Sequence, residues 1–222
     1  MKWEEIRKIH KWLPDTSEGW HQHGNGEGWI QNTAKVDLTV FVENTAIVFD
    51  DARIYGNARI SGNTRIYGNA RISGNTRIYG NARISGNARI YGNVRIYDNA
   101  RIYGNVRIYD NARISGNAEV FDDAEVSGDT VVSGNARIYG NAKIRKTSDY
   151  LCIGPIGSRD SYLTAFKTKT EINIVTGCFV GTITEFTEKL KTKTGNMYKD
   201  IYEDIYPSLV VLIQKQLKGE EK

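Results

Sequence analysis

The chain has 222 residues, a net charge of +4, 40% apolar and 25% charged side chains, which permits a packed core and argues against wholesale disorder. Two cysteines, Cys152 and Cys178, cannot build a disulfide scaffold and fit a reduced cytoplasmic setting. No stretch approaches the length of apolar run that a membrane helix needs, and the charged opening MKWEEIRKIHKW has no signal-peptide character, so neither membrane nor export is expected.

Residues 1–29 read as an N-terminal cap. Trp3, Ile6, Ile9 and Leu13 are spaced as one helical stripe that stops at Pro14. His21 and His23, in HQHGNGEGW, could meet a metal from alternate positions of a strand. Two histidines with no third ligand fit a polar loop better, and no metal site is assigned.

From Ile30 to Ile144, Ile or Val recurs every six residues through twenty hexads without an insertion. In Ala82-Arg83-Ile84-Ser85 the residues alternate small, charged, large and polar. That is strand patterning, with Ala82 and Ile84 inward and Arg83 and Ser85 outward. Gly86-Asn87 then supplies a corner, since both residues tolerate positive φ. Strand plus corner, repeated, winds into a solenoid, and three hexads per coil close a triangle.

The repeat resembles the hexapeptide-repeat family, in copies such as Ile66-Tyr-Gly-Asn-Ala-Arg71, over about 120 residues. The resemblance implies a mainly β fold, a left-handed parallel β-helix of three hexads per coil and nearly seven coils, and a homotrimer. Family members that transfer acyl or nucleotidyl groups use a histidine at a subunit cleft, often under an extruded loop. Here the histidines are His10, His21 and His23, all before the first hexad, and no loop interrupts the hexads. No catalytic residue or cofactor is therefore assigned, and an acyltransferase-like enzyme is the third-ranked reading.

With three hexads per coil, Arg65, Arg83 and Arg101 stack in one ladder. Arg53, Arg71, Arg89 and Arg107 form a second, and Arg59, Arg77, Arg95 and Arg113 a third. Glu119 and Glu125 fall into two of these ladders near the lower end, whereas residues 52–118 hold eleven arginines and only Asp98 and Asp110 as acids. Three readings stand side by side. The ladders are a solvated surface with Arg stacked on outward Tyr rings. Alternatively they are a polyanion-binding surface, with Arg71, Arg77, Arg83, Arg89, Arg95, Tyr79 and Tyr91 as candidates, or a subunit interface.

Residues 150–222 read as a small α+β domain, leaving 30–149 as the β-helix. Strands are expected at Tyr150–Ile153, Tyr162–Lys167 and Ile172–Thr176. A capping box at Thr182-Ile-Thr-Glu185 opens a helix to about Lys193. Gly195-Asn196 breaks it, Met197 to Tyr206 is helical again, and Pro207 starts a last helix over Ser208–Leu217. The text Ile153-Gly-Pro-Ile-Gly-Ser-Arg159, Thr176-Gly-Cys-Phe179, Gly181-Thr182 and Glu185-Phe186 resembles the C-terminal module of uncharacterised phage and prophage proteins. Those modules often continue with a turn like Thr-His-Gly-Asp-Asn, which here is Thr194-Gly195-Asn196 without the His and Asp.

Gly154, Gly157, Ser158 and Arg159 could cradle an anion through backbone N–H groups, a hydroxyl and a bidentate guanidinium, or form a plain hairpin loop. Cys178 stands shortly before a helix start, which favours a thiolate nucleophile, but no base accompanies it. The leading expectation is a non-enzymatic oligomeric protein of phage or mobile-element type in the host cytoplasm. It would bind an anionic small molecule or nucleic acid, with a counter-defence role. A structural, virion-associated spacer is the alternative.

Overall fold

A computed structural model describes residues 1–157, 160–192 and 201–218. Helix α1 (Trp3–Ile9) and strand β1 (Trp20–Gln22) precede the repeat. Twenty strands follow at six-residue steps, from β2 (Trp29–Gln31), β3 (Lys35–Val36) and β4 (Phe41–Val42) to β19 (Val131–Val132), β20 (Arg137–Ile138) and β21 (Lys143–Ile144). They fall on three parallel faces holding seven, seven and six of these strands, one of which also carries the antiparallel β1. That makes a parallel solenoid of between six and seven coils. With strands about 4.8 Å apart it is roughly 30 Å tall.

Each coil is pinned to the next by a bond that repeats with the coil. Arg83 N donates to the Ala100 carbonyl at 3.0 Å and Ser85 N to the Ile102 carbonyl at 2.9 Å, and the same step of seventeen residues recurs from Lys35 to Ser127. The large and small inward positions form a dry column, in which Ile54, Ile72, Ile90, Ala52 and Ala70 are fully buried. Thr64, Thr76 and Thr130 take the small position in three hexads. Each buried hydroxyl donates to the carbonyl three residues back, at 2.6–2.8 Å, so no donor is left dry.

The corners explain the glycines. Gly86 has φ +69°, and a Cβ there would lie 2.7 Å from Gly104 N in the coil below. Aspartate replaces glycine at some corners, with Asp98 at φ 61°, a conformation Asp tolerates better than most residues. Its carboxylate accepts the corner N–H of the next coil, Gly116, at 3.0 Å, and Asp110 and Asp122 do the same for Gly128 and Gly140. Along the corners, asparagine amides stack into ladders, as in Asn75 to Asn93 and Asn93 to Asn111, both 3.1 Å.

The C-terminal unit is an antiparallel sheet of β22 (Tyr150–Ile156), β23 (Ser161–Lys167), β24 (Ile172–Thr176) and β25 (Phe179–Thr182), in that order. Sequence reading missed β25, whose four residues include a glycine and sit against the following cap. Helices α2 (Ile183–Lys191) and α3 (Tyr206–Lys218) cover one side. Thr182 caps α2, its Oγ1 accepting from Glu185 N at 3.1 Å while Glu185 accepts from Thr182 N at 2.8 Å. The break read at Gly195-Asn196 lies outside the described residues.

The period-two alternation of β23 joins the two units. Leu163 and Ala165 face the helices in one core, while Phe166 belongs to the solenoid core with Tyr150 and Val175. Phe166 meets Tyr139 edge-on, ring centroids 4.9 Å apart.

Candidate functional site

The outward Arg positions lie where the hexad arithmetic puts them. Arg83 pairs in register with Arg65 and Arg101, Arg89 with Arg71 and Arg107, and Arg77 with Arg59 and Arg95. Arg71, Arg77, Arg83, Arg89 and Arg95 are all exposed. Tyr79 and Tyr91 are exposed too, but their rings stack on other tyrosines. Tyr79–Tyr97 and Tyr91–Tyr109 have centroids 5.1 and 5.2 Å apart and nearly parallel planes. The tyrosine columns thus run down the corners beside the arginines, where the sequence reading had Arg stacked on Tyr.

Acids enter the strand ladders only at the lower end, at Glu119 and Glu125. Glu119 is bridged by Arg101 at 3.2 Å and Arg137 at 3.3 Å. Glu125 accepts from the Tyr109 hydroxyl at 2.6 Å and lies 3.8 Å from Lys143. That tyrosine hydrogen bond, with the nearby cations, holds the Glu125 carboxyl below the usual carboxylate range. The same bond raises the Tyr109 phenol. The Arg59–Arg113 face has no acid in its strand positions; it runs from Phe41 at one end to Val131 at the other.

Both ends of the solenoid are closed, and sequence reasoning found the caps without their chemistry. At the C-terminal end the seventeen-residue step runs out of carbonyls, and side chains replace them. Val131 N donates to Thr147 Oγ1 at 3.0 Å, Ser133 N to the Tyr150 hydroxyl at 3.2 Å, and Arg137 N to Thr164 Oγ1 at 3.2 Å. Arg145 N and Lys146 N both donate to Asp149 Oδ2 at 2.9 Å, and Lys167 Nζ lies 3.0 Å from the same carboxylate. Burial opposes ionisation of Asp149, but those donors outweigh it and hold its pKa below the ordinary value.

At the N-terminal end α1 lies over the outer side of one face. Trp3, Ile6, Leu13, Trp29 and Ile47 form a separate buried cluster. Ile47, in register with Arg65 at an outward position, is fully covered, whereas Phe41, in register with Arg59, is half-buried. The helix ends at Ile9, before the expected Pro14, because His10 leaves helical geometry to bury its ring. His10 Nε2 lies 2.9 Å from the Thr45 carbonyl and Nδ1 3.0 Å from Arg65 Nε. Across the top of the first coil, Gly28 N donates to the Val42 carbonyl and Val42 N to that of Asn25.

The remaining candidates do not converge on one site. Gly154 and Gly157 lie at the end of β22 and beyond it, both at positive φ, while Ser158 and Arg159 lie outside the described residues. Cys178 is exposed in the turn between β24 and β25. Cys152 accepts from Thr164 Oγ1 at 3.7 Å, and burial pushes its thiol pKa up. His21 bonds Asn32 at 2.8 Å while His23 turns inward to Asn25, so the two rings point apart. Among the described residues no cluster could hold a metal ion, and no helix is long and apolar enough to cross a membrane.

No curated protein matches the chain. Residues 47–150, just under half of it, match the bactofilin family, described as polymer-forming cytoskeletal. The matched span opens at the second coil and closes where β22 begins, so it is the solenoid without its first coil and its caps. The match replaces the hexapeptide-repeat family as the likeness of the repeat, and it ends where the phage-like module was read, lending that resemblance no support. It also overturns the expected function. Over the solenoid the chain is similar to a polymer-forming cytoskeletal family, in place of a phage binder of anionic ligands or an acyltransferase-like enzyme.

Proposed function

We propose that this chain is a structural subunit that assembles with copies of itself into a cytoplasmic polymer. The observation that carries the reading is the coincidence of the bactofilin match, residues 47–150, with an uninterrupted stack of parallel strands. A solenoid pinned at every coil by backbone bonds, asparagine ladders and a dry core is a stiff rod, which is what a scaffold needs. The ring stacks and exposed Arg faces are surfaces rich in the residue types that interfaces favour. A homotrimer is the finer alternative, and it differs by being closed.

The reading is tested by sedimentation of the purified full chain across a wide concentration range. A polymer-forming subunit gives species that grow with concentration. A single small species, unchanged at every concentration, contradicts it, and one at three times the chain mass supports the trimer instead.

A further inference from the structure

All four tryptophans, Trp3, Trp12, Trp20 and Trp29, lie within the first 29 residues, and residues 1–13 form a strap that packs on Trp29 and Ile47 and meets Arg65 and the Thr45 carbonyl through the His10 ring. Arg65 has only donors to offer, so His10 Nδ1 must accept its N–H at 3.0 Å. The proton of the neutral ring is then on Nε2, where it meets the Thr45 carbonyl at 2.9 Å. Both ring nitrogens are satisfied in the neutral form alone. We propose that His10 is the latch of an acid-released strap: protonating its ring sets an imidazolium against the Arg65 guanidinium and lifts residues 1–13 from the solenoid.

The surroundings leave the added charge uncompensated. The charged groups bearing on the ring from the solenoid are Arg65 and, one coil further, Arg83. Carboxylates of the cap and the first coil are engaged with other partners. Glu43 accepts from Gly62 N at 2.7 Å, Glu27 lies 3.8 Å from the N-terminal ammonium, and Asp15 pairs with Arg7. Of the other histidines, His21 is exposed and His23 turns into its own loop. Arg65 is held in place from its far side as well, its guanidinium lying 5.9 Å from the Trp12 ring centre. Burial, and then the two arginines, lower the His10 pKa. The sign follows: with the folded value below the unfolded one, closure is complete above about pH 6.5 and weakens as pH falls. The open-to-closed ratio rises about tenfold per pH unit until the folded ring itself titrates. What opening uncovers is the apolar patch of Trp29 and Ile47.

The test follows acrylamide quenching of tryptophan fluorescence in the full chain from pH 7.5 to 5, above the range where carboxylates titrate. Quenching is expected to rise below pH 6.5 while far-ultraviolet circular dichroism holds the solenoid signal. His10→Gln should abolish the rise, whereas His21→Gln and His23→Gln should keep it. Should His10→Gln leave the strap open at neutral pH, Arg65→Gln decides: removing the opposing cation should shrink the rise. Flat quenching in the parent chain, a rise that survives His10→Gln, an undiminished rise in Arg65→Gln, or loss of the solenoid signal in step with quenching would each overturn the proposal.

Discussion

At its N-terminal end the solenoid is closed by the backbone of β1 and residues 25–28, with a strap packed on one outer face by aromatic contacts and a histidine; at its C-terminal end it is closed by hydroxyls and a carboxylate that collect backbone donors. The strands being covered are alike, so the difference lies in what each cap has to satisfy. The last coil presents N–H groups that every earlier coil gives to the next one, and an unpaired strand edge invites another chain. Thr147, Tyr150, Thr164 and Asp149 answer those donors individually. The strap instead covers an outer face whose outward positions became apolar, Trp29 and Ile47. The C-terminal edge is sealed by side-chain acceptors, whereas the N-terminal edge is paired by the backbone of β1 and of residues 25–28, with burial added over the outer face. Among the described residues, the edge donors of Val131, Ser133, Arg137, Arg145 and Lys146 are thus taken up within the chain.

The comparison can be broken most severely at Phe166, which the C-terminal sheet contributes to the solenoid core beside Tyr150 and Val175 and which is fully buried there. Phe166→Ala should cost about 3–5 kcal/mol and separate the melting of the two units in calorimetry. Asp149→Asn acts on the sealing bonds themselves. It should cost about 1–3 kcal/mol, read as a loss of amide protection at Arg145 and Lys146. Acidity sharpens the contrast between the ends. Because the folded pKa of Asp149 is depressed, its contribution is present above about pH 4 and is lost as pH falls further. The N-terminal strap loosens already below about pH 6.5. Hydrogen exchange at pH 5 should therefore show the strap open and the C-terminal seal intact. The smallest effect is expected at Glu119→Gln, since both of its arginine partners are about half exposed. A loss below about 1 kcal/mol, fading at high salt, is the expected outcome of chemical denaturation.

The repeat was legible because it is periodic. Each hexad states its inward, outward and corner residues locally, and the three ladders, including the places of Glu119 and Glu125, followed from counting. The ends were legible only as caps. The His10–Arg65 and Arg137–Thr164 contacts span 55 and 27 residues and have no period to betray them. Asp98 and Asp110 read as stray acids in a basic strip, yet they are corner residues whose carboxylates hold the next coil. Function was less legible still. A surface of Arg and Tyr is what anion binding and self-association both use, and residue type alone does not separate them.

Electron microscopy of the purified full chain tests the central claim most directly. Extended polymers, present above a threshold concentration and absent below it, are the result expected of a subunit similar to polymer-forming cytoskeletal proteins. Discrete single particles at every concentration would contradict it.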